Sequence, residues 1–167
     1  MYRLMAVIRG LRQSTKDQEL IVGNVASGWT PVRNPQSKYF ITEDQYSEAS
    51  YPPFVTGPSY LVSRLAVKNL FAAALEHPFL HLEDVFLTGI IAEQCGIPRR
   101  LATEFRNNAV RIPVRFMGCT LLRTIAIHKV EPLEQAKMSK MAQNPQCGSG
   151  RKNGKAAVAA AAKYTKP

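Results

Sequence analysis

The residues most able to do chemistry in this chain are two adjacent carboxylates, Glu83 and Asp84, in the segment Leu82-Glu83-Asp84-Val85. At the start of a helix such groups act by default as caps. They face the positive end of the helix dipole and accept from unpaired N–H groups. The alternative is a general base: a carboxylate at the mouth of a cleft takes a proton from a hydroxyl within hydrogen-bond reach. The two readings are compatible, because a cap residue is rigidly held.

A second candidate is Tyr51-Pro52-Pro53-Phe54-Val55-Thr56-Gly57-Pro58-Ser59-Tyr60. Gly57 supplies either a backbone conformation closed to other residues or a close approach of backbone to ligand. Tyr51, Phe54 and Tyr60 offer flat faces on which a sugar ring can lie; a proline-rich turn with buried aromatics is the plainer alternative. Of the three histidines, His77 and His81 flank Pro78-Phe79-Leu80 and read as loop and surface groups, whereas His128 is placed to reach into a cleft. Cys95, Cys119 and Cys147 show no CxxC spacing, so a zinc site loses support; one pair plus a free thiol and three thiols are both open. Walker A, Gly-x-Gly-x-x-Gly and Gly-x-Ser-x-Gly motifs are absent from the sequence.

The elements that must position these groups follow from patterning. Leu4, Met5, Ile8 and Leu11 form a helical stripe over residues 2–12, and Leu20-Ile21-Val22 reads as a strand. Residues 27–58 are rich in turn formers and read as a long loop. A loop of that length inside a domain usually binds something. Tyr60-Leu61-Val62 predicts a brief strand, and Ser63 caps a helix Arg64–Leu75 that buries Leu65, Ala66, Leu70, Ala73 and Ala74 and stops at His77-Pro78. A second helix is predicted from about Glu83 to Gln94, ended by Cys95-Gly96. Residues 120–128 alternate and predict a strand ending at His128, and Pro132 opens a last helix through Met141.

The chain has 167 residues, enough for one core, with a hydrophobic fraction of 46% and a formal charge of +10. Five of the 22 basic residues lie from Gly148 onward with no acidic partner, so half of the excess sits on the segment 148–167. That segment, rich in Gly, Ala and Lys, has too little apolar surface to offset its ordering entropy, and disorder is predicted. A basic body suits a phosphate-bearing partner, whether nucleotide sugar or nucleic acid. No stretch approaches the roughly 18–20 apolar residues that span a bilayer. Arg3 and Arg9 interrupt the N-terminus, which reads as an amphipathic helix entered partway along rather than as a signal peptide or anchor.

In order, these segments resemble the β-1,3-galactosyltransferase and β-1,3-N-acetylglucosaminyltransferase family, with fringe proteins as more distant relatives. The matching pieces are Pro31-Val32-Arg33-Asn34 with Ser37-Lys38-Tyr39, then Tyr51-Pro52-Pro53-Phe54, Gly57 and Tyr60-Leu61-Val62-Ser63. Leu82-Glu83-Asp84-Val85-Phe86-Leu87-Thr88-Gly89, Cys119 and His128-Lys129-Val130-Glu131-Pro132 complete the set, which covers about residues 1–147.

The resemblance implies a GT-A fold of the α/β class and an inverting hexosyltransferase. Such an enzyme moves galactose or N-acetylglucosamine from a UDP-sugar to a 3-hydroxyl of an acceptor glycan. It implies Asp84 as the base with Glu83 as its neighbour, and His128 as a group that helps hold Mn²⁺ against the diphosphate. Tyr39, Gly57 and Tyr60 would line the substrate pockets, and the setting would be the Golgi lumen, reached through an N-terminal membrane anchor. The family's metal-binding Asp-x-Asp is not found: Asp17, Asp44 and Asp84 are isolated from one another. The expectation is therefore a partial GT-A domain over residues 1–147, lacking the N-terminal nucleotide-binding half and the anchor, inactive in isolation and followed by the basic tail 148–167. The alternatives are a catalytically inactive remnant and a small basic nucleic-acid-binding protein. The body's modest charge and its lack of a basic, aromatic-laced stripe speak against the last.

Overall fold

The computed structural model describes residue 9, residues 18–106 and residues 119–143. Apart from Arg9, which is helical, the predicted N-terminal helix lies outside the described residues, as does the tail 148–167. The chain divides into two compact units, one spanning Asp17–Thr103 and the other including everything from Glu104 onward. It is of mixed α/β character.

The first unit is organised on strand β1, Ile21–Ala26, whose Ile21 and Val22 are buried. β1 pairs antiparallel with β2, Phe54–Val62, and parallel with β3, Arg99–Leu101, so it is the middle strand of the sheet. Where a brief strand at Tyr60-Leu61-Val62 was predicted, β2 is nine residues long. It passes through Gly57-Pro58, which read as a turn in sequence. The reason is a bulge. Gly23 pairs with Tyr60 but Val25 pairs with Val55, so Thr56 to Ser59 stand opposite Asn24 alone. Pro58 has no N–H to offer a ladder and is tolerated here, on an edge strand within a bulge.

Ser63 joins the sheet to the next helix. Its N–H donates to Leu20 O (2.9 Å), and its hydroxyl oxygen accepts from Leu20 N (3.0 Å) and Ala66 N (3.3 Å). The last contact caps helix α1, Arg64–Leu75, as predicted. The buried face of α1 is narrower than its sequence implies: Ala66 and Leu70 are buried, whereas Leu65 is exposed along with Val67, Phe71 and Leu75. With Ala73 and Ala74 only partly covered, the i, i+4 pair Ala66/Leu70 is the inward stripe.

Helix α2 is a wide, π-type segment over Asp84–Ile91 that runs on as an α-helical turn, Ala92–Gln94, and ends at Gly96 with φ +66°. A helix here was predicted; its widened register was not. Thr88 Oγ lies 2.6 Å from Asp84 O, an i−4 contact of the kind that loosens and bends helices. Such widened turns recur at functional sites.

The core gathers Ile21, Ile41, Phe54, Val55, Phe86, Ile91 and Ile97 from these elements and from the loop between β1 and β2. That loop is held by Arg33, whose guanidinium donates to Ile41 O (2.9 Å) and Tyr46 O (2.7 Å). Aromatic rings pack along it: Trp29 on Phe54 (5.5 Å), Tyr46 on Tyr51 (5.1 Å) and Tyr51 on Phe54 (6.3 Å).

In the second unit, β4, Phe105–Arg106, pairs parallel with β5, Ala126–Ile127. The predicted strand over 120–128 is therefore corrected to two residues. Its first half is a turn on Thr120, whose carbonyl accepts from Arg123 N (2.9 Å) and Thr124 Oγ (2.8 Å). The alternation of Leu and Thr suggested a strand, but threonine hydroxyls also bond nearby carbonyls and stabilise a turn. Helix α3, Pro132–Gln143, opens on its proline as predicted and buries no residue. Cys95 carries a free thiol and Cys119 is disulfide-bonded.

Candidate active site

The bulge in β2 and the first turn of α2 meet, and that meeting defines the site. Gly57 N–H donates to Asp84 Oδ2 at 2.8 Å, while Val85 N–H donates to Oδ1 at 2.9 Å. Both carboxylate oxygens are thus oriented by backbone donors, and Asp84 is partly exposed. What sets Gly57 apart is proximity rather than a special backbone angle. A Cβ at this position would lie 3.0 Å from Asp84 Oδ2 and 3.4 Å from its Cγ.

Glu83 does not cap the helix. Its backbone is already helical and its side chain makes no capping bond. Its carboxylate instead accepts from the Tyr60 hydroxyl. Burial first, then that hydrogen bond and the negative charge of Glu83, hold the Tyr60 proton well above the ordinary tyrosine range.

Behind the two carboxylates lies a residue that sequence reasoning did not single out. Thr88 is fully buried, and its hydroxyl oxygen accepts from Val55 N–H at 2.8 Å. The same oxygen lies 3.0 Å from Val55 O and 2.6 Å from Asp84 O, so its single proton serves one carbonyl at a time. This hydroxyl fastens α2 to β2 directly beneath the carboxylates. The one sequence signal for it is a threonine four residues after Asp84 in an otherwise apolar helix. Tyr51, one of the predicted flat faces, is buried, and its hydroxyl has no hydrogen-bond partner among the described residues. Burial raises its pKa, with Arg33 acting in the opposite direction.

Of the predicted site residues, Asp84, Glu83, Gly57 and Tyr60 are brought together. Tyr39 stands on the turn before Phe40, exposed, with Lys38 Nζ 4.8 Å above its ring. No hydrogen bond or ring contact among the described residues ties it to Asp84 or Glu83. His128 belongs to the second unit, immediately after β5, where its N–H donates to Arg106 O at 3.0 Å. It lines a cavity of about 670 Å³ together with Thr124, Lys129, Gln135 and Ser139. Among the described residues no three His, Cys, Asp or Glu side chains come together as a metal site.

A glycine N–H on one carboxylate and a tyrosine hydroxyl on its neighbour thus join β2 to the start of α2. The chain belongs to the galactosyltransferase family, whose model matches residues 1–103. It is similar to the acetylgalactosaminyl-O-glycosyl-glycoprotein beta-1,3-N-acetylglucosaminyltransferase of Mus musculus, at 27% identity over 83% of this chain and 36% of that one. N-acetyllactosaminide beta-1,3-N-acetylglucosaminyltransferase 4 of Homo sapiens is 31% identical over 70% of this chain and 31% of its own length. For beta-1,3-galactosyltransferase 1 of Homo sapiens the identity is 30%, over 74% of this chain and 36% of the relative. The chain spans about a third of the length of these relatives.

Proposed function

We propose that this chain is the acceptor-side part of an inverting hexosyltransferase of GT-A type. In this reading, galactose or N-acetylglucosamine passes from a UDP-sugar to the 3-hydroxyl of an acceptor glycan. Asp84 is the base. The acceptor oxygen attacks the anomeric carbon from the face opposite UDP, its proton passes to a carboxylate oxygen of Asp84, and the bond to UDP breaks with its electron pair. General-base help of this kind is worth roughly 10²–10⁴-fold.

The observation that carries the reading is the double backbone grip on Asp84, from Gly57 and Val85. A carboxylate oriented in advance loses little entropy on meeting the acceptor hydroxyl. Glu83 and Tyr60 form a neighbouring hydrogen-bonded pair that shapes the wall beside it. Manganese would act as a Lewis acid on the leaving diphosphate. With no metal-binding cluster among the described residues, the expectation for the purified 167-residue chain is no transfer.

A Golgi-lumen setting and a membrane anchor belong to the same proposal; among the described residues no helix is long and apolar enough to cross a membrane. The direct test incubates the longest product of the gene that contains this chain with UDP-galactose or UDP-N-acetylglucosamine, Mn²⁺ and a β-galactoside acceptor. A β-1,3-linked product by NMR supports the proposal. A retained anomeric configuration, or a linkage to another hydroxyl, overturns it.

A further inference from the structure

Behind the site stands a glycine that touches neither carboxylate. Gly23 is a buried residue of β1, the middle strand. It pairs with Tyr60 of β2 on one side, and on the other its carbonyl accepts from Ala102 N–H at 2.8 Å. The register with β2 breaks immediately after it, and pairing resumes at Val25 with Val55. Val55 and Tyr60 are therefore the two feet of the bulge that carries Gly57.

Both feet lean over the space where Gly23 has no side chain. A Cβ there would lie 2.4 Å from Val55 Cγ1 and 3.0 Å from Tyr60 Cβ. Its φ is outside the left-handed region, so space rather than backbone angle distinguishes this glycine. Neither neighbour is a flexible end. Val55 is fully buried, and a β-branched side chain has little freedom about its first bond. Its backbone is held too: the N–H donates to Thr88 Oγ at 2.8 Å, and the same hydroxyl lies 3.0 Å from its carbonyl. For Tyr60 the contact is with the first side-chain atom, which moves only with the strand.

The two feet lead to the two carboxylates. Val55 is joined through the Thr88 hydroxyl to the carbonyl of Asp84, 2.6 Å away, and the Tyr60 hydroxyl donates to Glu83. Between the feet, Gly57 N–H holds Asp84 Oδ2 at 2.8 Å. A methyl on residue 23 would start about 1 Å short of ordinary contact with Val55. A close-packed core has no void to absorb that, so β2 must shift against β1 and α2, and the bulge shifts with it.

We propose that Gly23 is a positioning residue for the transfer reaction. Its missing side chain lets both feet of the bulge close on β1, and this sets how near the Gly57 N–H comes to the base. The proposal rests on the reading of Asp84 as that base.

The test uses the longest active product of the gene with UDP-galactose or UDP-N-acetylglucosamine, Mn²⁺ and a β-galactoside acceptor. Gly23→Ala should lower kcat about tenfold or more with UDP-sugar Kd unchanged, since a misplacement of 1 Å can cost about 10²-fold. Val55→Ala removes the atom that the methyl strikes. Gly23→Ala/Val55→Ala should therefore turn over within about twofold of Val55→Ala alone, even where Gly23→Ala by itself does not fold. In an Asp84→Asn background, Gly23→Ala should change the residual turnover by less than about twofold, because no base is left to position. A Gly23→Ala kcat within about twofold of the parent overturns the proposal. So does a double variant about tenfold slower than Val55→Ala, or a further loss of about tenfold on top of Asp84→Asn. Failure of the base assignment is read separately, from full turnover of Asp84→Asn alone.

Discussion

Replacing Thr88 by Val tests how the candidate base is held in place. The two side chains have nearly the same shape, so the substitution removes a hydroxyl without opening a large cavity. Thr88 is fully buried, as is Val55, whose N–H donates to the hydroxyl oxygen at 2.8 Å. In the variant that N–H is left in the core without an acceptor, and the carbonyls of Val55 and Asp84 lose a donor that they share. An orphaned buried donor costs about 1–3 kcal/mol, and a loss of about 2 kcal/mol is expected. With a urea slope of about 2 kcal/mol/M, the midpoint should fall by about 1 M. Trp29 is the single tryptophan and packs against Phe54 in the same unit, so its fluorescence reports the unfolding of the site's own scaffold. Thr88→Ser keeps the hydroxyl and should lose clearly less. A Thr88→Val midpoint within about 0.25 M of the parent, or a serine variant as weak as the valine one, would refute the latch.

Three further outcomes follow from the same geometry. Gly57→Ala puts a methyl 3.0 Å from Asp84 Oδ2, so the carboxylate must yield by a few tenths of an ångström; since a misplacement of 1 Å can cost about 10²-fold, turnover of the active gene product should fall about three- to tenfold, and full activity would contradict the close approach. Tyr51→Phe removes a hydroxyl buried without a partner among the described residues and should leave the urea midpoint unchanged or raised, whereas a loss above about 1 kcal/mol would argue against an orphaned group. For Tyr60 the folded state raises the pKa above the ordinary tyrosine value of about 10, so the unfolded chain releases this proton first as pH rises. The associated stability is fully present below pH 10 and is lost above it, and Tyr60→Phe should flatten that alkaline decline in urea midpoints.

Much of the scaffold was readable from local chemistry. Ser63 announced the start of α1 because a serine ahead of an apolar-periodic run has one obvious use, and Pro132 marked the first turn of α3 for a comparable reason. The site was readable in part. Glu83-Asp84 was visible as a pair, but sequence alone does not tell a capping carboxylate from one facing another strand. Their division of labour, Asp84 to Gly57 and Glu83 to Tyr60, depends on long-range contacts. The bulge escaped notice because Gly57-Pro58 has the composition of a turn, and only pairing with β1 reveals the strand continuing past it. Residues 120–128 misled in the opposite sense: alternation fits a strand, yet the Thr124 hydroxyl closes a turn on Thr120. Leu65 was misplaced because an apolar residue on a helix need not face the core, and Ala66 and Leu70 already fill the inward stripe.

The central claim is that Asp84 takes the acceptor proton. It is tested most directly by comparing Asp84→Asn with the parent in the longest active product of the gene, measuring both turnover and UDP-sugar affinity. Asparagine preserves size and can still meet the Gly57 N–H through its amide oxygen, but it cannot act as a base. Turnover should fall roughly 10²–10⁴-fold with UDP-sugar Kd unchanged. Turnover within threefold of the parent, or a loss traced entirely to weaker UDP-sugar binding, would contradict the account.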